Sequence, residues 1–289
     1  MRKIRVSEML GPIIVNQILV SLDNSTHSVA ALEAAVELAQ QYRAALKGIF
    51  IEDINLLNLA EMPFCQEVGE HTASVREITT DGLSRGIFVQ SRSVIRSFRK
   101  KTSSIGIQAV FMVLRGNIHR TIEKESQSSD LIVIGKAGTH PVRGRRLGST
   151  AQALIKNHTK PLLLIEENAR LGQPIIVVHH QSPLGTRCLE TGRDLVNPGE
   201  TLGILVCQDD PDTFKQVTEN LNQWATSSNS KISIQGYKTE TIHRLFSMLN
   251  ALEKGLLILP HGEDVSDLKV MHLFINEVSQ PMLLIRNNS

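Results

Sequence analysis

Short apolar runs alternate with stretches of helical periodicity throughout the first half of the chain. Residues 18–22 (ILVSL) and 46–51 have the length of strands. Between them Val29, Leu32, Val36 and Ala39 recur at helical spacing behind Ser25, which suits a helix N-cap. A long polar stretch over residues 56–104 predicts a loop and then a long helix. The run 108–114, a helix from about Ile118, the run LIVI at 131–134, a helix from about Ser149 and the run LLLI at 162–165 complete the half. Alternating β and α units of this kind predict a mainly parallel sheet covered by helices on both faces.

The second half repeats the first. QILVSLDNS aligns with PIIVVHHQS, pairing Asp23 with His180 and Ser25 with Ser182 at an offset of 157 residues. LIVIG aligns with LLILP at an offset of 125, and TKPLLLI with SQPMLLI at 120. The second copy has therefore lost 32 residues from its middle and five before its last helix. Self-similarity in a fixed order predicts two domains, over residues 1–168 and 174–289, joined through the polar stretch 166–173.

Bulk properties narrow the class. A chain of 289 residues with 41% hydrophobic and 21% charged residues is average for a globular protein. A net charge of +2 gives no whole-molecule field towards nucleic acid or anionic lipid. Three sparse cysteines, Cys65, Cys188 and Cys207, show no CxxC spacing and suggest reduced thiols. The basic N-terminus leads into only a short apolar patch, so neither a signal peptide nor a membrane span is expected, and the location implied is cytoplasmic.

The segment that carries chemistry follows the run LIVI and reads GKAGTHPVRGRRLGST. Two residues separate Gly135 from Gly138, and nine separate Gly138 from Gly148, which Ser149 and Thr150 follow. Such a loop leaves the carboxyl end of a parallel strand and enters a helix, where ligands of open α/β sheets sit. Glycines let the backbone approach phosphates, and unpaired N–H groups at the helix start can point at their oxygens.

This spacing resembles the G-x2-G-x9-G-[S/T] ATP motif of the universal stress protein family. The resemblance extends along nearly the whole chain through the order of elements and the Pro-apolar last strands. It implies a tandem member with two open-sheet, Rossmann-like, mainly parallel five-stranded domains. It further implies that Asp23, with Ser21 beside it, contacts the nucleotide, and that the backbone of Phe50, where the family usually has valine, pairs with adenine. Ile134, Gly135, Gly138, Gly148, Ser149 and Thr150 would hold ribose and phosphates. ATP, with or without Mg²⁺, is the cofactor so implied. The last strands resemble the family's dimerisation element, which in tandem members pairs the two halves; pairing of whole chains is left open.

The second half departs from this pattern. His180 stands for Asp23 and Pro260 for Gly135, and acidic Glu263, Asp264 and Asp267 occupy the phosphate segment. Repulsion there would oppose a triphosphate. Arg143, Arg145, Arg146 and Lys136 in the first loop would either pair with phosphates or form a solvated tip. Arg92, Arg96, Arg99, Lys100 and Lys101 make a basic helical stripe, read first as a wet helix face and otherwise as a surface for an acidic partner or nucleic acid. Adjacent His179 and His180 point to opposite faces of a strand and make a poor metal site, while His140, His158 and His272 lack partners at ligand spacing. Cys188 and Cys207 suit packing, which leaves Cys65 as the redox candidate.

Three functions remain open: a nucleotide-binding regulator meeting a protein partner, a slow ATPase or phosphotransferase, and a nucleotide-free scaffold. The Walker loop GxxxxGK[S/T] is absent, as is an SGGxDS phosphate loop. The partners expected are an adenine nucleotide and an unidentified protein, with neither nucleic acid nor membrane.

Overall fold

The computed structural model describes residues 11–60, 62, 66–68, 75–77, 80–138, 147–262 and 268–286. The chain divides into two compact units, one of residues 16–158 and one of residues 1–15 with 159–289.

In the first of these, strand β1 (Gln17–Ser21) leads into helix α1 (Thr26–Tyr42), then β2 (Ala45–Asp53) and a short helix α2 (Ile54–Ala60). Strands β3 (Gln66–Val68) and β4 (Val75–Glu77) pair only briefly, before the long helix α3 (Thr80–Thr102). Then follow β5 (Ala109–Gly116), α4 (Ile118–Ser126), β6 (Leu131–Gly135) and α5 (Ser149–Asn157). Ser25 caps α1 by accepting a hydrogen bond from the Ser28 N–H, and Arg43 closes that helix in the left-handed region at φ 53°. Buried alanines at 30, 31, 34, 35 and 39 let α1 lie close on β1 and β6.

The strands run parallel in the order β6-β1-β2-β5. Leu131, Ile132, Val133 and Ile134 of β6 are all buried, which is why this strand is an unbroken apolar run rather than an alternating one. The chain passes from β1 to β2 on one side and returns later to β6 on the other. The order therefore reverses between β1 and β6, and a crevice opens at their carboxyl ends.

The other unit holds β7 (Leu162–Ile165), β8 (Ile175–His179), α6 (Pro183–Leu195), β9 (Leu202–Cys207), α7 (Pro211–Ser227), β10 (Ile232–Tyr237), α8 (Ile242–Asn250), β11 (Leu256–Pro260), α9 (Leu268–Glu277) and β12 (Met282–Ile285). The strand order is β10-β9-β8-β11-β12-β7, parallel except at the last step. There β12 and β7 are antiparallel, with Met282 opposite Leu164 and Leu284 opposite Leu162. The closing strands LLLI and MLLI thus pair with each other. The start of the described chain also belongs here, since the Ile13 N–H donates to the Thr191 hydroxyl at 3.2 Å. The α/β class and the mainly parallel strands are those the sequence predicts; β3, β4 and most of α2 fall within the stretch predicted as loop.

Candidate functional site

A cleft of about 260 Å³ opens at the reversal between β1 and β6. Ser21 and Asp23 line it from the end of β1, Ile134 and Gly135 from the end of β6, and Gly138, Gly148, Ser149 and Thr150 from the loop and first turn of α5. The family resemblance implies each of these eight residues, and Gly135, Gly138, Gly148, Ser149 and Thr150 also form the glycine-spaced motif read directly from the sequence. Leu22, Ser28, Ile51, Ile118, Ala137 and Ala151 also line the cleft. None of these carries a chemical signal in the sequence; they are small or apolar, and pairing and packing alone bring them there.

The glycines are required by crowding. A Cβ on Gly135 would come within 2.8 Å of His27 Cβ and 3.0 Å of the His27 carbonyl carbon. One on Gly148 would lie 3.3 Å from the Gly138 nitrogen, and one on Gly138 would lie 3.1 Å from an Asp23 carboxylate oxygen. Side chains at these positions would fill the cleft from inside. The loop is closed at its base by the Gly148 N–H, which donates to the Lys136 carbonyl at 2.9 Å. Lys136 itself is buried at 1% exposure.

Gly148 is the N-cap of α5 and offers no side chain to the amides behind it. The first N–H groups of this nine-residue helix thus face the cleft beside the exposed Ser149. Across from them, Asp23 Oδ1 accepts from the Ser25 hydroxyl at 2.6 Å and the Ser25 N–H at 3.1 Å. Asp23 therefore fixes the turn into α1 with one oxygen and presents the other towards Gly138.

Phe50 differs from expectation. It is 4% exposed and stands outside the cleft lining, where Ile51 takes its place. The reason is strand parity. The Ala45 N–H donates to Asn16, on the β1 side, and the Leu46 N–H donates to Gln108, on the β5 side. Alternate residues keep that alternation, so the Phe50 backbone faces β5, where Val113 is its partner. The ladder to β1 closes with the Leu22 N–H donating to the Ile49 carbonyl. Ile51 is the next residue whose backbone faces that way, past the end of β1.

At the matching reversal of the other unit, between β8 and β11, the arrangement changes. Pro260 ends β11, and the His261 N–H donates onward to the Ile285 carbonyl, so the chain holds to β12 where the first unit turns into its glycine loop. The Leu184 side chain, 2% exposed, lies 3.5 Å from the Cβ position of Gly262. Burial, then the neighbouring His180, pull the His179 pKa down to about 4. Burial pushes the Cys188 thiol up, which suits a packing residue. Arg143, Arg145, Arg146, His140, Cys65, Glu263, Asp264 and Asp267 lie outside the described residues, as does the side chain of His272. Among the described residues no three His, Cys, Asp or Glu side chains stand as a metal-binding group, and no helix is long and apolar enough to cross a membrane.

An open parallel α/β sheet with a glycine-floored crevice at its switch point defines a ligand-binding class of domain. Comparison with known proteins gives the family. The universal stress protein family profile matches residues 15–166, just over half of the chain, and the chain belongs to that family. Universal stress protein YxiE of Bacillus subtilis (strain 168) is 25% identical over 152 residues, 52% of this chain and 98% of that protein. Universal stress protein MJ0531 of Methanocaldococcus jannaschii is 24% identical over 159 residues, 54% of this chain and 85% of that protein. The crystal structure of a universal stress protein from Archaeoglobus fulgidus DSM 4304 superposes with a TM-score of 0.68 at 13% identity, covering 94% of this chain and 98% of that one. At such identity the likeness speaks for the fold.

Proposed function

We propose that the cleft between β1 and β6 binds an adenine nucleotide, ATP foremost, as the ligand of a regulatory stress protein. The observation that carries this reading is the set of three glycines, each placed where a Cβ would crowd the loop, the turn into α1 or the Asp23 carboxylate. The space so kept open faces the first amides of α5. Phosphate oxygens fit there, because unpaired N–H groups and the helix dipole both favour an anion. Asp23 is an acceptor and would repel a phosphate, so its Oδ2 suits a ribose hydroxyl, which can donate to it. The backbone edge at Ile51 offers adenine a donor and an acceptor.

Binding without turnover is the form of this reading that the site supports best. Asp23 is the single ionisable side chain among the described lining residues, and its Oδ1 already holds Ser25. It is thus poorly placed to take a proton from water. With no acidic cluster among the described residues, a Mg²⁺ ion would be held by phosphate oxygens and water. The reading also includes a tandem arrangement, in which the second copy keeps the architecture and has lost the site through Pro260 and the packing of Leu184.

Titration calorimetry of the full chain with ATP tests both parts. One nucleotide per chain with a Kd near micromolar, about −8 kcal/mol, is expected. Absence of heat would reject the nucleotide reading, and two sites per chain would reject the loss in the second copy.

A further inference from the structure

Helix α3 concentrates charge that the rest of the chain lacks. Its 23 residues carry six Arg and Lys against the single acid Asp81, a local excess of five, whereas the whole chain has +2. The remainder is therefore net acidic by three. Arg85, Arg92, Arg96 and Arg99 follow one another at spacings of seven, four and three. With 3.6 residues per turn they share one stripe, together with Phe88 and Val89, within about 100° of arc. The opposite face, formed by Ile87, Ser91, Val94 and Phe98, is buried against the sheet.

Two features set this stripe apart from a solvated face. None of its four guanidinium groups forms an ion pair among the described residues, although Lys101 on the same helix pairs with Glu33. And Phe88 and Val89, 59% and 66% exposed, lie in the middle of it, with the Arg92 guanidinium 5.6 Å above the Phe88 ring. An apolar anchor flanked by arginines is the composition of a protein contact surface.

We propose that this face of α3 docks an acidic segment of a partner protein that carries an apolar side chain for Phe88 and Val89. A membrane fits less well, since a helix lying in lipid turns its main apolar face outward, and here that face is buried in the sheet. Nucleic acid fits less well too, because a phosphodiester backbone leaves Phe88 and Val89 uncovered and no second aromatic stands on the stripe to stack bases. The stripe from Arg85 to Arg99 spans about 21 Å, which implies a small, transient and salt-sensitive contact.

The test uses the full chain and a fluorescein-labelled peptide of about 16 residues, half of them Glu, with a central Trp-Leu pair and Gln elsewhere. Anisotropy is expected to give micromolar binding that weakens at least about tenfold between about 50 and about 500 mM salt. Arg92→Glu with Arg96→Glu should weaken it about tenfold or more, and Phe88→Ala about fivefold. All three side chains are exposed, and circular dichroism verifies the helix; should the double variant lose structure, Phe88→Ala alone decides. Equal binding of the peptide with Gln for Glu, equal or tighter binding of single-stranded DNA or phosphatidylserine vesicles, unaltered binding by the variants, or no binding at all would each overturn the proposal.

Discussion

Asp23 and Gly138 face each other across the cleft, with an Asp23 carboxylate oxygen 3.1 Å from where a Cβ on Gly138 would stand. That separation is tighter than an ordinary contact, so even a methyl group must displace something. Gly138→Ala should lower ATP affinity several-fold, about 1 kcal/mol, while Gly138→Asp sets a second carboxylate against the first and should lower it at least about a hundredfold. Calorimetry with ATP decides, and unchanged thermal unfolding would locate the effect in the site. Full affinity in Gly138→Asp would mean the nucleotide lies elsewhere.

Strand parity separates two neighbouring residues. Ile51→Pro removes an N–H that points past the end of β1, so a loss of nucleotide affinity of about tenfold with modest loss of stability is expected. Phe50→Pro removes a ladder hydrogen bond to β5 inside the sheet and should cost clearly more stability than Ile51→Pro. Denaturant unfolding and ATP titration of both variants check the contrast. Equal effects on folding would remove the parity argument.

His179 makes the fold sensitive to acid. Its imidazole stays neutral in the folded chain down to about pH 4, whereas the unfolded chain takes up that proton near 6.5. Between these values the unfolded state binds more protons, so stability falls as pH drops from about 6.5 to about 4, by at most about 1.4 kcal/mol per unit. His179→Gln should flatten that part of the curve of denaturation midpoint against pH. An identical slope in the variant would assign the acid sensitivity to other groups.

Gly48 in β2 sits beneath two aromatic rings. An added Cβ would lie 2.6 Å from Phe98 and 2.7 Å from Phe111, whose centroids are 5.1 Å apart. Flat rings, with Phe98 buried at 2% exposure, cannot swing away as a flexible chain end would, so Gly48→Ala should destabilise by about 1–3 kcal/mol. The expected readout is a thermal midpoint lower by several degrees, with ATP affinity retained in the folded protein.

Local chemistry made much of this legible in the sequence. Ser25 announces the start of α1 because a capping hydroxyl acts within three residues, and the spacing of Gly135, Gly138 and Gly148 is a direct record of backbone crowding. What stayed hidden depends on distant partners. Ile49, Phe50 and Ile51 are apolar without alternation, so nothing in them says whether Phe50 or Ile51 turns its backbone to the cleft. That choice is made by Asn16 and Gln108, which lie far away in sequence and meet β2 only in the folded sheet. Likewise Ile13 lies 178 residues from Thr191, and no local pattern foretells their hydrogen bond. Helix α2 and strands β3 and β4 are too short for periodicity to distinguish them from loop.

The antiparallel meeting of β7 with β12 changes what mutation can do. Where two identical subunits join through the same strand, every substitution strikes both sides of the seam at once, and change is doubly constrained. Here LLLI and MLLI are separate stretches of one polypeptide, so each can drift while the other compensates. On the proposed tandem reading, that freedom of divergence would let one half keep a glycine-lined crevice while the other carries His180 at the position of Asp23 and Pro260 at that of Gly135.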